Sequence, residues 1–551
     1  MALIPTPVPP IPPRTEHAMQ QAFPHGHAFI ALHAAFGDFF SDADFHALYA
    51  ACGTPAVAPW RLALTGRLQF GENLSDREAA DAVRRCIDWK YLLRLELEDP
   101  GFDYSVLSEF RGRLLQGGAE LLLFERLLER FAAQGLVRQR GTQRTDATHI
   151  LAAVRNLNRL ELVGETVRAA LNALAVAAPD WLQTHRQAGW DRRYSTRWDQ
   201  YRLPKSEKAR TELAATIGAE GRALLAAVNE PGAPAQLRNL PAVQVLARVW
   251  EQQYYPEAER TEWRTSADLP AGAELINSPY DAEARYRQKR TTTGTGYKCP
   301  LTETCDPETP HLISDVLTTA ATLPDTEVVA GIQARLAQRD CLPATHVVDM
   351  GYTEASAWVQ SATKHGIRLL GPCVADSSWQ ARATTGYALA DFTVDGEEEH
   401  VRCPQGQVSA GWKESQKQGR RVIQAFFAKA TCATCPARAL CTRTAGVGRR
   451  VKFRVREEHA ALQTARQRQT TADFQKEYAV RAGIEGTHSQ GVRRCGLRKC
   501  RYLGEAKARL QHALTAAALN FHRVGQWLLD TPRAVTRSSP YSRLAAVSAT
   551  R

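Results

Sequence analysis

The chain has 551 residues, about three to four times the usual length of one domain, so more than one compact unit is expected. Hydrophobic residues make up 44% and charged residues 23%, which rules out wholesale disorder. Lysine plus arginine exceed aspartate plus glutamate by 70 − 58 = 12, a surplus that favours a polyanionic partner such as nucleic acid.

The opening MALIPTPVPPIPPRTEH reads as a Pro-rich, poorly ordered arm over residues 1–15 and lacks the pattern of a signal peptide. No apolar run approaches the roughly 20 residues of a membrane helix, because Arg and Glu interrupt each leucine cluster. A cytoplasmic, nucleoid-associated protein is expected.

Residues 16–138 read as an all-helical N-terminal DNA-binding domain. LSDREAADAVRRCIDW opens with a capping box, Ser75 and Glu78, and sets Ala79, Val83 and Ile87 on one face. DYSVLSEFRGRLL starts a second helix near Asp103 or Ser105, with Val106, Phe110 and Leu114 one turn apart. A Pro100-Gly101 loop separates the two, which suits a helix-turn-helix module and equally a plain helical bundle.

Residues 150–270 are again helical. Trp190, Tyr194, Trp198 and Tyr201 fall at helical spacing beside Arg193 and Arg197, a pattern that serves base stacking or a core. Core is the preferred reading, because such stripes are more often buried.

From about residue 271 the texture becomes α/β. Tyr297, Cys299 and Leu301 alternate as in a strand, ATHVVDMGY gives a short strand ending at Asp349, and GIRLLGP gives another. Between them TEASAWVQSATKH fits a helix with Ala355, Val359 and Ala362 on one side. Residues 376–456 are strand-prone, with Val451, Phe453 and Val455 alternating. One long helix is expected from 457 into the 480s and another over 505–529; the tail 531–551 reads as loose.

Three carboxylates stand out by context: Asp146 in QRTDATH, Asp349 after Val347-Val348, and Glu485 in YAVRAGIEGTHSQ. Phe474, Tyr478, Arg481 and Glu485 follow at steps of four, three and four and share one helix face. Taken singly, each acid has a plain structural explanation: a turn or N-cap, a strand-ending turn, an i,i+4 ion pair. Their order on strand, strand and helix in a basic chain favours a shared site.

Cys403, Cys432, Cys435 and Cys441 include a Cys-x2-Cys pair, and four thiolates suit a closed, structural Zn²⁺ site better than a redox or merely buried pair. Cys299, Cys305, Cys495 and Cys500 read as burial. RRCGLRKCRYLGEAKAR carries Arg493, Arg494, Arg498, Lys499, Arg501, Lys507 and Arg509 against Glu505, and reads as a DNA-backbone contact.

LSDREAADAVRRCIDWKYLL, FDYSVLSEFRGRLL, QRTDATH, SPYDAEARY, GYK…LTETCD, VVDMGYTEA and YAVRAGIEGTHSQ together resemble the DDE transposases of bacterial insertion sequences, most closely the family numbered eleven-eighty-two. The resemblance spans about residues 30–528. It implies an RNase H-like α/β catalytic core over 139–149, 271–375 and 457–530. A helical insertion over 150–270 and a strand-rich cysteine insertion over 376–456 would interrupt it.

The resemblance further implies Asp146, Asp349 and Glu485 as ligands of two Mg²⁺ (or Mn²⁺) ions, with Tyr478 and Arg481 beside them. The resembled helix also carries a Lys seven residues after its Glu. Here that position is Val492, which leaves the basic role to Arg493 or Arg494. Where the family has GYKVH, this chain has Cys299-Pro300. The implied activity is binding of the element's terminal repeats, DNA cleavage and strand transfer, by a homodimer on double-stranded DNA. A transposase-derived zinc-containing regulator, or a metal-dependent nuclease without joining, is the alternative.

Overall fold

The computed structural model describes residues 2–198, 203–256, 262–289, 292–383, 385–417, 420–444, 446–533 and 539–541. Tyr201 of the aromatic stripe, and residues 534–538 and 542–551 of the tail, lie outside them. The chain forms two compact units: residues 1–136, 307–312 and 513–551, and residues 137–306 and 313–512.

The first unit is helical: α1 (Pro13–Ala22), α2 (Ala28–Phe36), α3 (Pro59–Gly71), α4 (Asp76–Arg85), α5 (Ile87–Leu92), α6 (Ser105–Gln116) and α7 (Leu122–Ala133). The Ser75–Glu78 capping box is present, with Ser75 N donating to Glu78 Oε2 at 2.8 Å. The helix it opens is shorter than expected. Cys86 turns extended (φ −91°, ψ 120°) and ends α4, so Ala79 and Val83 are buried while Ile87 is exposed.

The Pro-rich arm is docked rather than loose. Ala2 N donates to Thr54 O at 2.8 Å, and Ala2 and Leu3 are buried. Helix α1 starts on Pro13, whose missing N–H costs nothing at a first turn. Thr15 Oγ1 then donates to Leu95 O at 2.8 Å.

The end of the last helix, α21 (Glu505–Leu528), belongs to this unit and not to the catalytic core expected over 457–530. The reason is aromatic packing: buried Phe521 lies 4.8 Å from Phe39 between ring centroids, and the Arg67 guanidinium stacks 3.5 Å over it.

In the second unit β1 (Thr142–Leu151) leads into the helical segment: α8 (Arg159–Ala177), α9 (Pro179–His185), α10 (Trp190–Tyr194), α11 (Glu207–Asn229) and α12 (Pro241–Gln253). This segment has its own core, and Trp190, Tyr194 and Trp198 are in it. Tyr194 Oη donates to Glu220 Oε2 at 2.6 Å and Arg193 pairs with the same carboxylate, so Trp190, Tyr194 and Trp198 are packing and not a base-stacking surface. Gly164 and Gly221 lie so close under Trp198 and Trp250 that neither has room for a Cβ.

The main sheet continues with β2 (Arg285–Lys289), β3 (Thr292–Thr304), β4 (Ile313–Val316), β5 (Thr319–Ala320), then α13 (Val329–Gln338), β6 (Thr345–Val348), α14 (Ala355–His365) and β7 (Arg368–Leu370). Its order is β2-β3-β1-β6-β7, with β4 and β5 also paired to β3. Strand β1 runs antiparallel to β3 and parallel to β6, and α14 makes the crossover from β6 to parallel β7. On α14, Ala355 and Ser361 are buried, while Val359 is half-buried and Ala362 exposed.

After α15 (Trp379–Arg382) come β8 (Thr393–Asp395), β9 (His400–Arg402), β10 (Gly411–Lys417), β11 (Arg420–Phe426), α16 (Lys429–Ala433), α17 (Arg438–Cys441) and β12 (Arg450–Arg454). Strands β10, β11 and β12 form an antiparallel sheet over a small core of Ile423, Ala425, Val451 and Phe453.

The single helix expected from 457 is α18 (Arg456–Arg468), α19 (Ala472–Tyr478), a 3-10 turn (Ala479–Ala482) and α20 (Gly483–Cys495). Thr471 causes the first break by capping α19, its Oγ1 accepting from Phe474 N at 3.2 Å. Among the described residues no helix is long and apolar enough to cross a membrane.

Candidate active site

Strands β1 and β6 are adjacent and parallel, with Thr145 opposite Val348. The next residue on each chain is a carboxylate, Asp146 in β1 and Asp349 just past β6, so the register sets the two acids side by side. Ala147 N donates to Asp146 Oδ1 at 2.8 Å, and Gly351 N to Asp349 Oδ1 at 2.8 Å.

The third acid arrives on the helical rod. Residues 474, 478, 481 and 485 keep to one face because the backbone stays helical through the 3-10 turn. Phe474 packs with Val347 and Leu370, and Tyr478 stacks on it at 5.4 Å between centroids. Arg481 then reaches all three carboxylates. Its Nη2 donates to Asp146 Oδ2 at 2.5 Å, its Nη1 to Glu485 Oε1 at 3.1 Å, and Nη2 stands 3.9 Å from Asp349 Oδ2.

The cluster grades from inside to outside. Side-chain exposure is 15% at Asp146, 19% at Arg481, 37% at Asp349 and 67% at Glu485. Burial pushes the Asp146 carboxyl up to about 6, against the pull of Arg481 and with help from the neighbouring acids. Burial opposes the charge on Arg481, but the carboxylates around it outweigh that and hold its pKa up. The Tyr478 phenol is raised, chiefly by burial.

A second layer that the sequence did not reveal supports this cluster. Arg144 lies two residues before Asp146 on the same strand face, opposite Glu303 in register. Its Nε donates to Glu303 Oε1 at 2.7 Å and its Nη1 to Val480 O at 2.5 Å. Thr487 Oγ1 donates to the other oxygen of Glu303 at 2.5 Å. Arg144 thus ties β1 to the turn bearing Arg481, and Gly483 lets it, since a Cβ there would overlap the guanidinium. His488 and Tyr352 are also buried nearby, and burial lowers His488 to about 4 and raises the Tyr352 phenol. The one available signal was period-two spacing from Asp146 to Arg144.

The basic stretch starts on α20. Arg493 and Arg494 are exposed on its last turn, Arg498 and Lys499 are exposed beyond it, Arg501 is half-buried, and Val492 is half-buried. This segment pairs with the end of β1: Leu151 N donates to Arg498 O at 2.9 Å and Cys500 N to Leu151 O at 2.8 Å. Lys499 borders an open cavity of about 820 Å³ that Arg155, Arg168, Arg197 and Tyr280 also line.

Cys403, Cys432, Cys435 and Cys441 line one small cavity in the strand-rich segment. Burial pushes the Cys441 thiol up, and the other three thiols are close enough to add to the shift. Among the described residues no group of three or more His, Cys, Asp or Glu side chains is arranged to hold a metal ion as it stands. The carboxylates close on Arg481 instead. Cys299, Cys305, Cys495 and Cys500 are buried.

Two protein-family models match the chain. One, described as a transposase DDE domain, covers residues 402–525 and so includes Glu485 and the four cysteines but not Asp146 or Asp349. The other, described as a transposase domain (DUF772), covers residues 17–113 of the helical unit. No curated protein and no solved structure matches. A transposase-domain match thus lies toward each end of the chain, and the C-terminal one, to a DDE domain, indicates a DDE-type transposase.

Proposed function

We propose that this transposase binds the terminal repeats of an element related to family eleven-eighty-two, cuts the DNA there and joins the freed ends to a target. The observation that carries the reading is the meeting of Asp146, Asp349 and Glu485, 203 and 136 residues apart in sequence, around one guanidinium. The strand order, with β1 antiparallel to β3 and parallel to β6, supports an RNase H-like core carrying two insertions.

The donor set fits magnesium, or manganese in its place. All three acids offer oxygen, and Asp146 is buried enough to need a cation beside it to stay ionised at neutral pH. Two such ions held by Asp146, Asp349 and Glu485 would supply Lewis-acid activation of the attacking and leaving oxygens. The four cysteines that line one cavity supply the thiolate donors a structural Zn²⁺ prefers, and would have to close further to hold it.

In cleavage, water attacks phosphorus at the element end, and the departing 3′-oxygen takes a proton to become a hydroxyl. In joining, that hydroxyl gives up its proton and attacks a target phosphodiester, so one P–O bond forms as another breaks. Arg481 passes from the carboxylates to a phosphate in this reading, with Tyr478 orienting DNA or packing behind the acids. Arg493, Arg494, Arg498, Lys499 and Arg501 hold the backbone. Pairing two element ends calls for a homodimer on double-stranded DNA, working at the nucleoid in the cytoplasm.

Labelled element-end DNA incubated with Mg²⁺ tests the reading. Wild type should release a 3′-hydroxyl and join it to target, while Asp349→Asn binds without cutting. Cutting without joining would make the protein a nuclease, and binding without cutting by folded wild type would make it a regulator.

A further inference from the structure

The β10–β11–β12 sheet buries one face and leaves the other open. Its core face carries Trp412, Ile423, Ala425, Val451 and Phe453. Because side chains alternate along a strand, the register assigns the opposite face, Gly411 apart, to residues 413, 415 and 417, to 420, 422, 424 and 426, and to 450, 452 and 454. Six of those ten are cations: Lys413, Lys417, Arg420, Arg450, Lys452 and Arg454. None is an acid.

That composition is not what a merely solvated sheet needs, since such faces usually mix both signs. Glu414, the acidic residue of these strands, points to the core side and pairs there with Arg421. On the cationic face Lys413, Gln424 and Lys452 form one cross-strand row, and Phe426 and Arg450 lie in the next, about 7 Å along the strands. Lys413, Arg450 and Lys452 are exposed, and among the described residues none has an ion-pair partner. A groove of about 360 Å³ beside β12 adds Arg449 and Arg466 against Asp376.

The same face is anchored next to the acids. Arg420 Nε lies 2.9 Å and Arg454 Nη2 3.3 Å from Glu354 Oε1, and Glu354 is the N-cap of α14 in the loop that follows Asp349. The cations therefore begin at the loop of the second carboxylate and continue across three strands.

We infer that this outer sheet face binds the phosphate backbone of double-stranded DNA beyond the Asp146–Asp349–Glu485 cluster, with Lys413, Arg450 and Lys452 as the contacting cations. The inference rests on the DNA-transposase reading and names a surface that reading does not require. Backbone binding of this kind acts through counterion release, so its signature is the salt dependence of affinity, not sequence preference.

The test uses the full chain and a labelled duplex of arbitrary sequence, titrated by fluorescence anisotropy over a salt series. K413Q/R450Q/K452Q should lower the slope of log affinity against log salt by roughly 3, about 0.9 for each phosphate no longer neutralised. K413R/R450K/K452R should keep the wild-type slope, and E414Q/R421Q on the core side should leave it unchanged. The single charge reversal Lys452→Glu, at an exposed position, should weaken binding in the same direction should the triple variant fold poorly. A wild-type slope in the folded triple variant or in Lys452→Glu overturns the inference while leaving the transposase reading intact. A wild-type chain that binds no DNA would bring down both.

Discussion

Arg481 donates through Nη2 to Asp146 Oδ2 at 2.5 Å, and that hydrogen bond joins the first carboxylate in the sequence to the helical rod that carries the last. The guanidinium does what a cation must do at such a site, since Asp146 is too buried to carry charge unaided. Arg481→Gln should lower the stability of the metal-free protein at pH 8 by roughly 1–3 kcal/mol, the usual cost of leaving a buried hydrogen-bonding group without its partner. Millimolar Mg²⁺ should recover most of that loss. Urea titrations with and without Mg²⁺ measure it, and equal midpoints for variant and wild type would refute the role.

Gly483 has the Arg144 guanidinium in the space a Cβ would occupy, and Arg144 has little freedom to withdraw, held by Glu303 and by Val480 O. Gly483→Ala should shift the turn bearing Arg481. We expect cleavage to fall by about 10-fold or more, as misplacement near the reacting groups does, with DNA affinity retained. Wild-type cleavage by this variant would mean that the turn tolerates movement.

Buried histidines set the acid limit of the second unit, His346 and His512 beside the His488 already described. Burial pushes His346 down to about 4 and His512 down to about 3. Each is depressed below its unfolded value of 6.5, so the unfolded chain binds the proton first and stability is lost as pH falls from 6.5 toward 4. Between pH 6.5 and 5 each contributes a loss of about 2 kcal/mol. His512→Gln should remove one such share from the pH dependence of the urea midpoint. An unchanged slope would show that this residue is not buried neutral.

Much of the candidate site was legible because it depends on local rules. Asp349 follows an apolar strand, and Phe474, Tyr478, Arg481 and Glu485 fall at helical spacing that survives the 3-10 turn. What was hidden depends on tertiary partners. Nothing near Trp190 or Tyr194 announces Glu220, so the sequence favours core over stacking only because such stripes are more often buried, and the packing shows the partner. The break before α19 comes from one threonine cap within a helix-prone run. The arm docks through backbone bonds of Ala2, which leave no periodic trace in a Pro-rich sequence. Glu303 meets Arg144 only through strand register, 159 residues away.

The cysteine cavity predicts one bound Zn²⁺ per chain. Cys432→Ser should reduce zinc content measured by elemental analysis and make residues 376–456 more sensitive to protease, since closed thiolate sites contribute directly to folding. Full zinc occupancy in Cys432→Ser would exclude that thiol as a ligand.

The central claim is that Asp349 and its two partner acids hold the divalent ions of DNA cleavage. Asp349→Cys tests it most directly, because thiolate is a softer ligand that tolerates Mn²⁺ better than Mg²⁺. On labelled element-end DNA this variant should be inactive with Mg²⁺ and regain cleavage with Mn²⁺, while wild type cuts with either. Equal cleavage by wild type and variant in Mg²⁺ would contradict the assignment.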